Sequence, residues 1–249
     1  MRRSDGRAPD ELRAVTIEPD FLAYPEGSAL ISVGKTRVLC AATLEDRVPQ
    51  WMRGRGVGWV SAEYAMLPRA TEERTQREVT KGRLGGRTHE IQRIIGRALR
   101  AVTDMKKLGE RTVWLDCDVL QADGGTRTAA VTGAYVALAL ALIKKFDAKD
   151  PKAWPLRAQL AATSVGFVDG AAVLDLAYDE DSHAEVDMNV AMTDAAKYVE
   201  VQATAESAPF DRQQLDVLLA LAQSGIEKLF RMQRVVLEPH GFPYLAHAV

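Results

Sequence analysis

LQADGGTRTAAVTGAYVALALAL, residues 120–142, passes from the end of one segment through Asp-Gly-Gly-Thr-Arg into a long apolar run. Before it, RTVWLDCDVLQ (111–121) alternates apolar and polar residues, the period of a half-buried strand. After it, Ala129 to Lys145 is apolar nearly all round, which predicts a helix buried on most of its sides. Strand, two-glycine turn and buried helix belong to a chain that reads throughout as alternating strand pairs and helices. The turn itself has two readings. It is either a plain connection with Thr126 as the helix N-cap, or an anion site in which glycines let the backbone approach closely and Arg127 presents a planar fork of donors. The GxxxxGK[ST] spacing of a Walker loop is absent.

Upstream, AVTIEPDFL (14–22) and GSALISVGKTRVLCAATLE (27–45) read as strands, the second broken by a turn at Gly34-Lys35. GVGWVSAEYAML (56–67) is a further strand candidate. Residues 68–88 are polar, rich in arginine and without hydrophobic period, too long and too charged for a plain connection. Ile91, Ile94, Ile95, Ala98, Leu99 and Val102 then fall at helical spacing, with Thr88 as the expected N-cap.

Downstream, the polar, proline-bearing DAKDPKAWP (147–155) is the best internal boundary. It predicts one domain over 10–146 and a second over 156–249. AATSVGFVDGAAVLDLAY (161–178) reads as two strands around Asp169-Gly170. VDMNVAMT and YVEVQATAES extend that sheet, and a last helix starts near Asp211, with Gln214 three residues on as in a capping box. SVGKTRVLCAATLED and SVGFVDGAAVLDLAYDED look loosely alike, as an internal duplication or as two hairpins with similar turns.

The chain has 249 residues, 47% hydrophobic and 27% charged, the balance of a soluble globular protein. The first residues show no apolar signal segment, and the apolar run 129–143 falls short of the ~20 residues that cross a bilayer. A cytoplasmic protein with no membrane partner is expected. Cys40 and Cys117 sit in apolar stretches without a CxxC pattern, as two buried thiols. Net charge is −2, but its distribution is uneven. Residues 1–111 hold 21 Lys and Arg against 15 Asp and Glu, and residues 112–249 hold 11 against 19. A basic first half suits a polyanionic partner, and equally two solvated surfaces that differ.

Three further motifs can carry chemistry. GRLGGRTHE (82–90) again places glycines and an arginine, Arg87, before a helix, so two such turns could share one anion. LDLAYDEDSHAEVDMNVAM (174–192) carries Asp181 and Asp187. On one straight strand they would stand ~20 Å apart, at about 3.3 Å per residue. A turn at Ser182-His183-Ala184 between two strands would bring them together, as a pair suited to Mg²⁺ or to acid catalysis. Asp179, Glu180 and His183 are expected to be solvated. LPRATEERTQRE (67–78) carries Arg69, Arg74 and Arg77, spaced for a nucleic-acid backbone, though Glu72, Glu73 and Glu78 would neutralise them. It lacks the aromatic residues that would stack bases. There is no GxSxG and no Cys–His constellation.

Together, RSDGRAPDELR, GWVSAEYAMLPRAT, GRTHEIQRIIGRALR, LDCDVLQADGGTRTAAVTGA and EDSHAEVDMNVAMT closely resemble the bacterial ribonuclease PH family, phosphate-dependent 3′→5′ exoribonucleases (tRNA nucleotidyltransferases). The resemblance runs nearly end to end. It implies an α+β fold, ribonuclease PH-like (ribosomal protein S5 domain 2-like), of two similar subdomains. It implies a homohexamer built as a trimer of dimers. It implies that inorganic phosphate attacks the terminal phosphodiester of tRNA precursors and other RNA 3′ ends, releasing nucleoside 5′-diphosphates, reversibly. By position, it assigns phosphate binding to Arg87, Gly125, Thr126 and Arg127, and RNA binding to Arg69, Arg74 and Arg77. It assigns Mg²⁺ and the chemistry to Asp181 and Asp187, with either Asp181 or a water as the acid. Ala177 departs from the acidic residue or Asn expected in the strand there.

Overall fold

A computed structural model describes residues 3–206 and 209–243. The end of the expected second domain, 244–249, and the last residue of YVEVQATAES therefore lie outside the described residues.

The first half is a five-stranded sheet in the order β1-β2-β3-β5-β4. Its strands are β1 (Val15–Pro19), β2 (Gly27–Val33), β3 (Thr36–Glu45), β4 (Trp59–Met66) and β5 (Thr112–Gln121). β2 and β3 form the hairpin that Gly34-Lys35 predicts. β4 and β5 are parallel, and a helix, α1 (Gly86–Val102), lies in the crossover that a parallel pair needs. The apolar stripe of α1 is buried as its spacing predicts, with Ile91, Ile95 and Leu99 fully enclosed. Its N-cap is Gly85 rather than Thr88, which lies inside the first turn. A short helix, α2 (Met105–Leu108), follows α1 and is capped by Asp104, whose carboxylate accepts from the Lys106 and Lys107 N–H groups.

The helix predicted from Ala129 begins three residues earlier, as α3 (Thr126–Lys145). At 20 residues it is long and apolar enough to cross a membrane by those two measures alone. Here it is the central core helix, packed against β2 and β3 of the first sheet and β6 of the second. That enclosure on several sides is why its sequence carries so little polar surface.

The second sheet has the order β7-β6-β8-β9 and is antiparallel throughout. Its strands are β6 (Leu160–Val168), β7 (Ala171–Leu174), β8 (Val186–Thr193) and β9 (Tyr198–Ala205). β6 is buried along its whole length because α3 and the last helix, α5 (Arg212–Leu237), pack against it. The Asp211 carboxylate accepts from Gln214 N–H at 2.8 Å, and the Gln214 side chain accepts from Asp211 N–H at 2.9 Å. That is the capping box predicted for the start of α5. The segment 147–155 is docked rather than free. Trp154 is buried, and Asp104 N–H donates to the Pro155 carbonyl. Cys40 and Cys117 are buried free thiols, opposed across β3 and β5.

Candidate active site

The Asp-Gly-Gly-Thr-Arg turn joins β5 to α3. Gly124 (φ +74°) and Gly125 (φ +65°) are consecutive left-handed residues, which explains the two glycines. Gly125 is the N-cap and Thr126 the first helical residue, so the reading of Thr126 as a cap does not hold. No side chain among the described residues caps this helix. Its first N–H groups thus remain available at the positive end of a long dipole. The buried Tyr64 of β4 donates its phenol O–H to Thr126 Oγ1 at 2.9 Å. Once Thr126 has accepted that bond, its own hydrogen is left to donate outward.

Arg87 sits in the first turn of α1, which also lacks a side-chain cap. Glu78, which the sequence reading set against the loop arginines, is instead turned onto this helix start. It accepts from Gly85 N–H at 3.1 Å and from the Thr88 hydroxyl at 2.9 Å. Arg87 and Arg127 act on the same groups. Burial raises the Tyr64 phenol, and its bond to Thr126 together with the charges of Arg87 and Arg127 oppose that rise.

Asp181 does not lie in a strand-to-strand turn. It ends a single helical turn, α4 (Tyr178–Asp181), and Asp187 is the second residue of β8. The turn expected at Ser182-His183-Ala184 is made, with His183 N–H donating to the Glu180 carbonyl and Ala184 N–H to that of Asp181, but it joins a helical turn, not a strand, to β8. Asp181 is exposed. Even so, crowding by protein atoms raises its carboxyl, and Arg127, Arg87 and Arg13 pull it back without cancelling the rise. Burial also raises Asp187, and the charge of Asp181 adds to it. Glu206 pushes both in the same direction. Asp181, Asp187, Arg87 and Arg127 thus form one electrostatic unit around the start of α3.

What joins the α3 turn to the acidic segment is the N-terminal RSDGRAPDELR stretch. Arg13 pairs with Asp175 through Nη2 to Oδ1 at 2.6 Å and Nε to Oδ2 at 3.0 Å, and its Nη1 donates to the Asp123 carbonyl. Arg3 pairs with Glu180 at 2.6 Å and donates to the carbonyls of Leu174 and Asp175. Glu180, expected to be solvated, is therefore buried; burial would raise its carboxyl, but Arg3 and the Ala177 N–H hold it low. Asp179 and His183 are exposed, as expected. Ala177 precedes α4 and lies in no strand. Its N–H donates to Glu180 Oε2 at 2.9 Å, a bond that any residue but proline would make.

Arg69, Arg74 and Arg77 are exposed on the segment after β4. The base of that segment is tied to the α3 turn, since Ala122 N–H donates to the Ala70 carbonyl at 2.8 Å. Among the described residues no carboxylate forms an ion pair with any of the three. The expected neutralisation by Glu72, Glu73 and Glu78 is thus not made.

Two family models match the chain: domain 1 of the 3′ exoribonuclease family over residues 11–144, and domain 2 over residues 158–225. The chain belongs to the ribonuclease PH family. It is 61% identical to the ribonuclease PH of Moorella thermoacetica over 237 residues, covering 95% of each chain. It is 57% identical to that of Bacillus subtilis over 236 residues, covering 94% of this chain and 96% of the relative. Two solved structures share the fold at low identity. Rice (Oryza sativa) Rrp46 aligns with a TM-score of 0.77 at 17% identity, covering 94% of this chain and all of that one. A chain of the Archaeoglobus fulgidus exosome with RNA bound to its active site aligns at 0.75 and 22% identity, covering 92% of each.

Within this ribonuclease PH frame, Asp181 and Asp187 are carboxylates of a kind that suits Mg²⁺. That ion takes one or two protein carboxylates and completes its shell with water and substrate phosphates. Burial raises the Asp187 carboxyl first, and the charge of Asp181 that adds to the rise is what a divalent cation would offset. No cluster of three or more His, Cys, Asp or Glu suited to a metal occurs among the described residues, so a site built wholly from protein ligands is not present there. Tyr64, Arg13 and Asp175 are the site's supports that sequence reading missed. Arg13 lies inside a motif quoted for the resemblance, but its partner is 162 positions away.

Proposed function

We propose that this protein is a phosphorolytic 3′→5′ exoribonuclease that trims extra 3′ nucleotides from tRNA precursors and other RNA 3′ ends. Inorganic phosphate is the attacking group, nucleoside 5′-diphosphates are the products, and the reverse reaction adds nucleotides. The observation that carries the reading is the convergence of Arg87 and Arg127 on an uncapped α3 N-terminus beside Asp181 and Asp187.

Phosphate and the scissile phosphodiester are both anionic, so their approach must be compensated. Arg87, Arg127, the Thr126 hydroxyl and the backbone at Gly125 would hold the attacking phosphate and aim one oxygen in line with the departing 3′ oxygen. As that oxygen bonds to the scissile phosphorus, the bond to the 3′ oxygen breaks, leaving a nucleoside diphosphate and an RNA shorter by one residue. The departing oxygen needs a proton. Asp181, whose carboxyl is raised by its surroundings, is suited to give it. Asp181 and Asp187 would also hold Mg²⁺, which when bound neutralises charge on the transferring group. Arg69, Arg74 and Arg77 would grip the RNA backbone upstream of its 3′ end. The working form is proposed to be a homohexamer, a trimer of dimers, in the cytoplasm.

The test is incubation with a 3′-extended tRNA, Mg²⁺ and phosphate. Nucleoside diphosphates should appear only when phosphate is present. Nucleoside monophosphates, or no release at all, would refute the reading. Arg127→Ala should abolish the phosphate-dependent reaction while preserving the fold.

A further inference from the structure

Arg127 makes a single side-chain hydrogen bond among the described residues, and its partner comes from the second sheet. Nη1 donates to Gln202 Oε1 at 2.7 Å. The other end of the same amide, Nε2, donates to Glu90 Oε1 at 2.7 Å. Gln202 lies on β9, Glu90 on α1 and Arg127 on α3, so one side chain ties three elements at a point.

The geometry of α1 gives this link a consequence for Arg87. Glu90 follows Arg87 by three residues, so the two share a helix face one turn apart. Holding Glu90 therefore holds the turn from which Arg87 projects. A second contact, Arg97 to Glu200 at 3.7 Å, docks the same helix on the same strand two turns further along. Residues 200 and 202 share one face of β9, as the two-residue period of a strand requires.

We propose that Gln202 is a positioning residue that sets the direction of the Arg127 guanidinium and its separation from Arg87, and so the affinity for the phosphate co-substrate. The inference rests on the assignment of Arg87 and Arg127 to phosphate. The chemistry of the amide fits this role better than a carboxylate would. An amide oxygen accepts from Arg127 without neutralising it, so the full positive charge stays available to phosphate. A carboxylate in the same place would pair with Arg127, compete with phosphate and stand against Glu90. The amide can also donate to Glu90 while accepting from Arg127, which no carboxylate can do when ionised.

Gln202→Met keeps the length and volume of the side chain but removes both hydrogen bonds. Gln202→Glu keeps the shape and adds a charge. Steady-state phosphorolysis should show KM for inorganic phosphate raised about tenfold in Gln202→Met, the scale of one lost hydrogen bond to a charged group, and further in Gln202→Glu. KM for the RNA should stay within about twofold of wild type. Arg127→Ala is run beside them. If Arg127→Ala abolishes phosphorolysis but both Gln202 variants keep the wild-type KM for phosphate, the positioning role is wrong and the phosphate site stands. The role is equally refuted if both KM values rise together. If Arg127→Ala itself keeps near-normal phosphate-dependent turnover, the phosphate assignment falls and the inference falls with it.

Discussion

Arg13 and Asp175 form a buried, two-bonded ion pair, Nη2 to Oδ1 at 2.6 Å and Nε to Oδ2 at 3.0 Å. Asp175 also accepts from the Arg13 backbone N–H at 2.8 Å and is itself held at φ +54°. A non-glycine residue in that region is strained, and here the surrounding bonds over-determine it. Asp175→Ala would leave the Arg13 guanidinium buried without its counter-charge. It should destabilise the protein by about 3 kcal/mol. Urea unfolding of the variant, with the midpoint compared to wild type, measures this. A shift corresponding to less than about 1 kcal/mol, the scale of an exposed pair, would show that the pair is not acting as a buried one.

Gly124 is the close contact between the α3 turn and the acidic segment. A Cβ there would lie 2.6 Å from the Leu176 carbonyl oxygen and 2.8 Å from both the Ala177 carbonyl carbon and the Tyr178 nitrogen. All three are backbone atoms, so the new methyl cannot be accommodated by a side-chain rotation. Gly124→Ala is expected to cost about 1–3 kcal/mol from its left-handed backbone alone. Because the clash pushes on the residues that begin α4, turnover should fall even where the variant remains folded. Thermal unfolding and phosphorolysis assayed on the same preparation separate the two effects.

Asp187 should show activity and stability in opposition. Its folded carboxyl is raised by burial and then by the charge of Asp181. A carboxyl raised on folding holds its proton more tightly in the native state. Its stabilising contribution is therefore present below the ordinary carboxylate value and is lost as pH rises through the raised one. Asp187→Asn should accordingly raise the Tm at pH 7 in the absence of Mg²⁺, with the gain disappearing below about pH 4. The same variant should lose phosphorolysis and lack the rise in Tm that Mg²⁺ is expected to give the wild type. Calorimetry at the two pH values, with and without Mg²⁺, tests all three parts. A lower Tm for Asp187→Asn at pH 7 would contradict the assigned direction.

Arg69, Arg74 and Arg77 are exposed and make no ion pairs with carboxylates among the described residues. Their triple alanine variant should bind tRNA more weakly, with the slope of log affinity against log salt reduced by about two, the value for three contacts to single-stranded phosphates. KM for inorganic phosphate should not change. An unaltered salt slope would remove these arginines from the RNA path.

Local chemistry made much of this molecule legible. The Asp211–Gln214 box, the Gly34-Lys35 hairpin and the stripe of α1 each depend on residues within a few positions of one another, and each appears as the pattern predicts. The errors came where a distant group intervened. Thr88 was read as a cap because a threonine before an apolar stripe ordinarily is one. The α1 start is instead served by Glu78, reaching in from the loop before it. The turn at Ser182-His183-Ala184 is where the pattern places it, but the run before it, expected as a strand, is a helical turn of three acidic residues and a tyrosine, held from outside by Arg3. Glu180 was read as solvated for the same reason, since its partner is 177 positions away.

By itself, then, the sequence determined the strands of both sheets and the three long helices, the two glycines of the α3 turn, the family, and which arginines and aspartates are candidates for the site. These follow from short-range periodicity, backbone sterics and motif spacing, all readable along one dimension. Only the tertiary structure decided how the candidates are held. The Tyr64 bond to Thr126, the Gln202 bridge from Arg127 to Glu90 and the Arg13–Asp175 pair join residues between 62 and 162 positions apart. Such bonds form because burial makes an unpaired polar group costly, and which groups are buried together is a property of the packed chain rather than of any stretch of it.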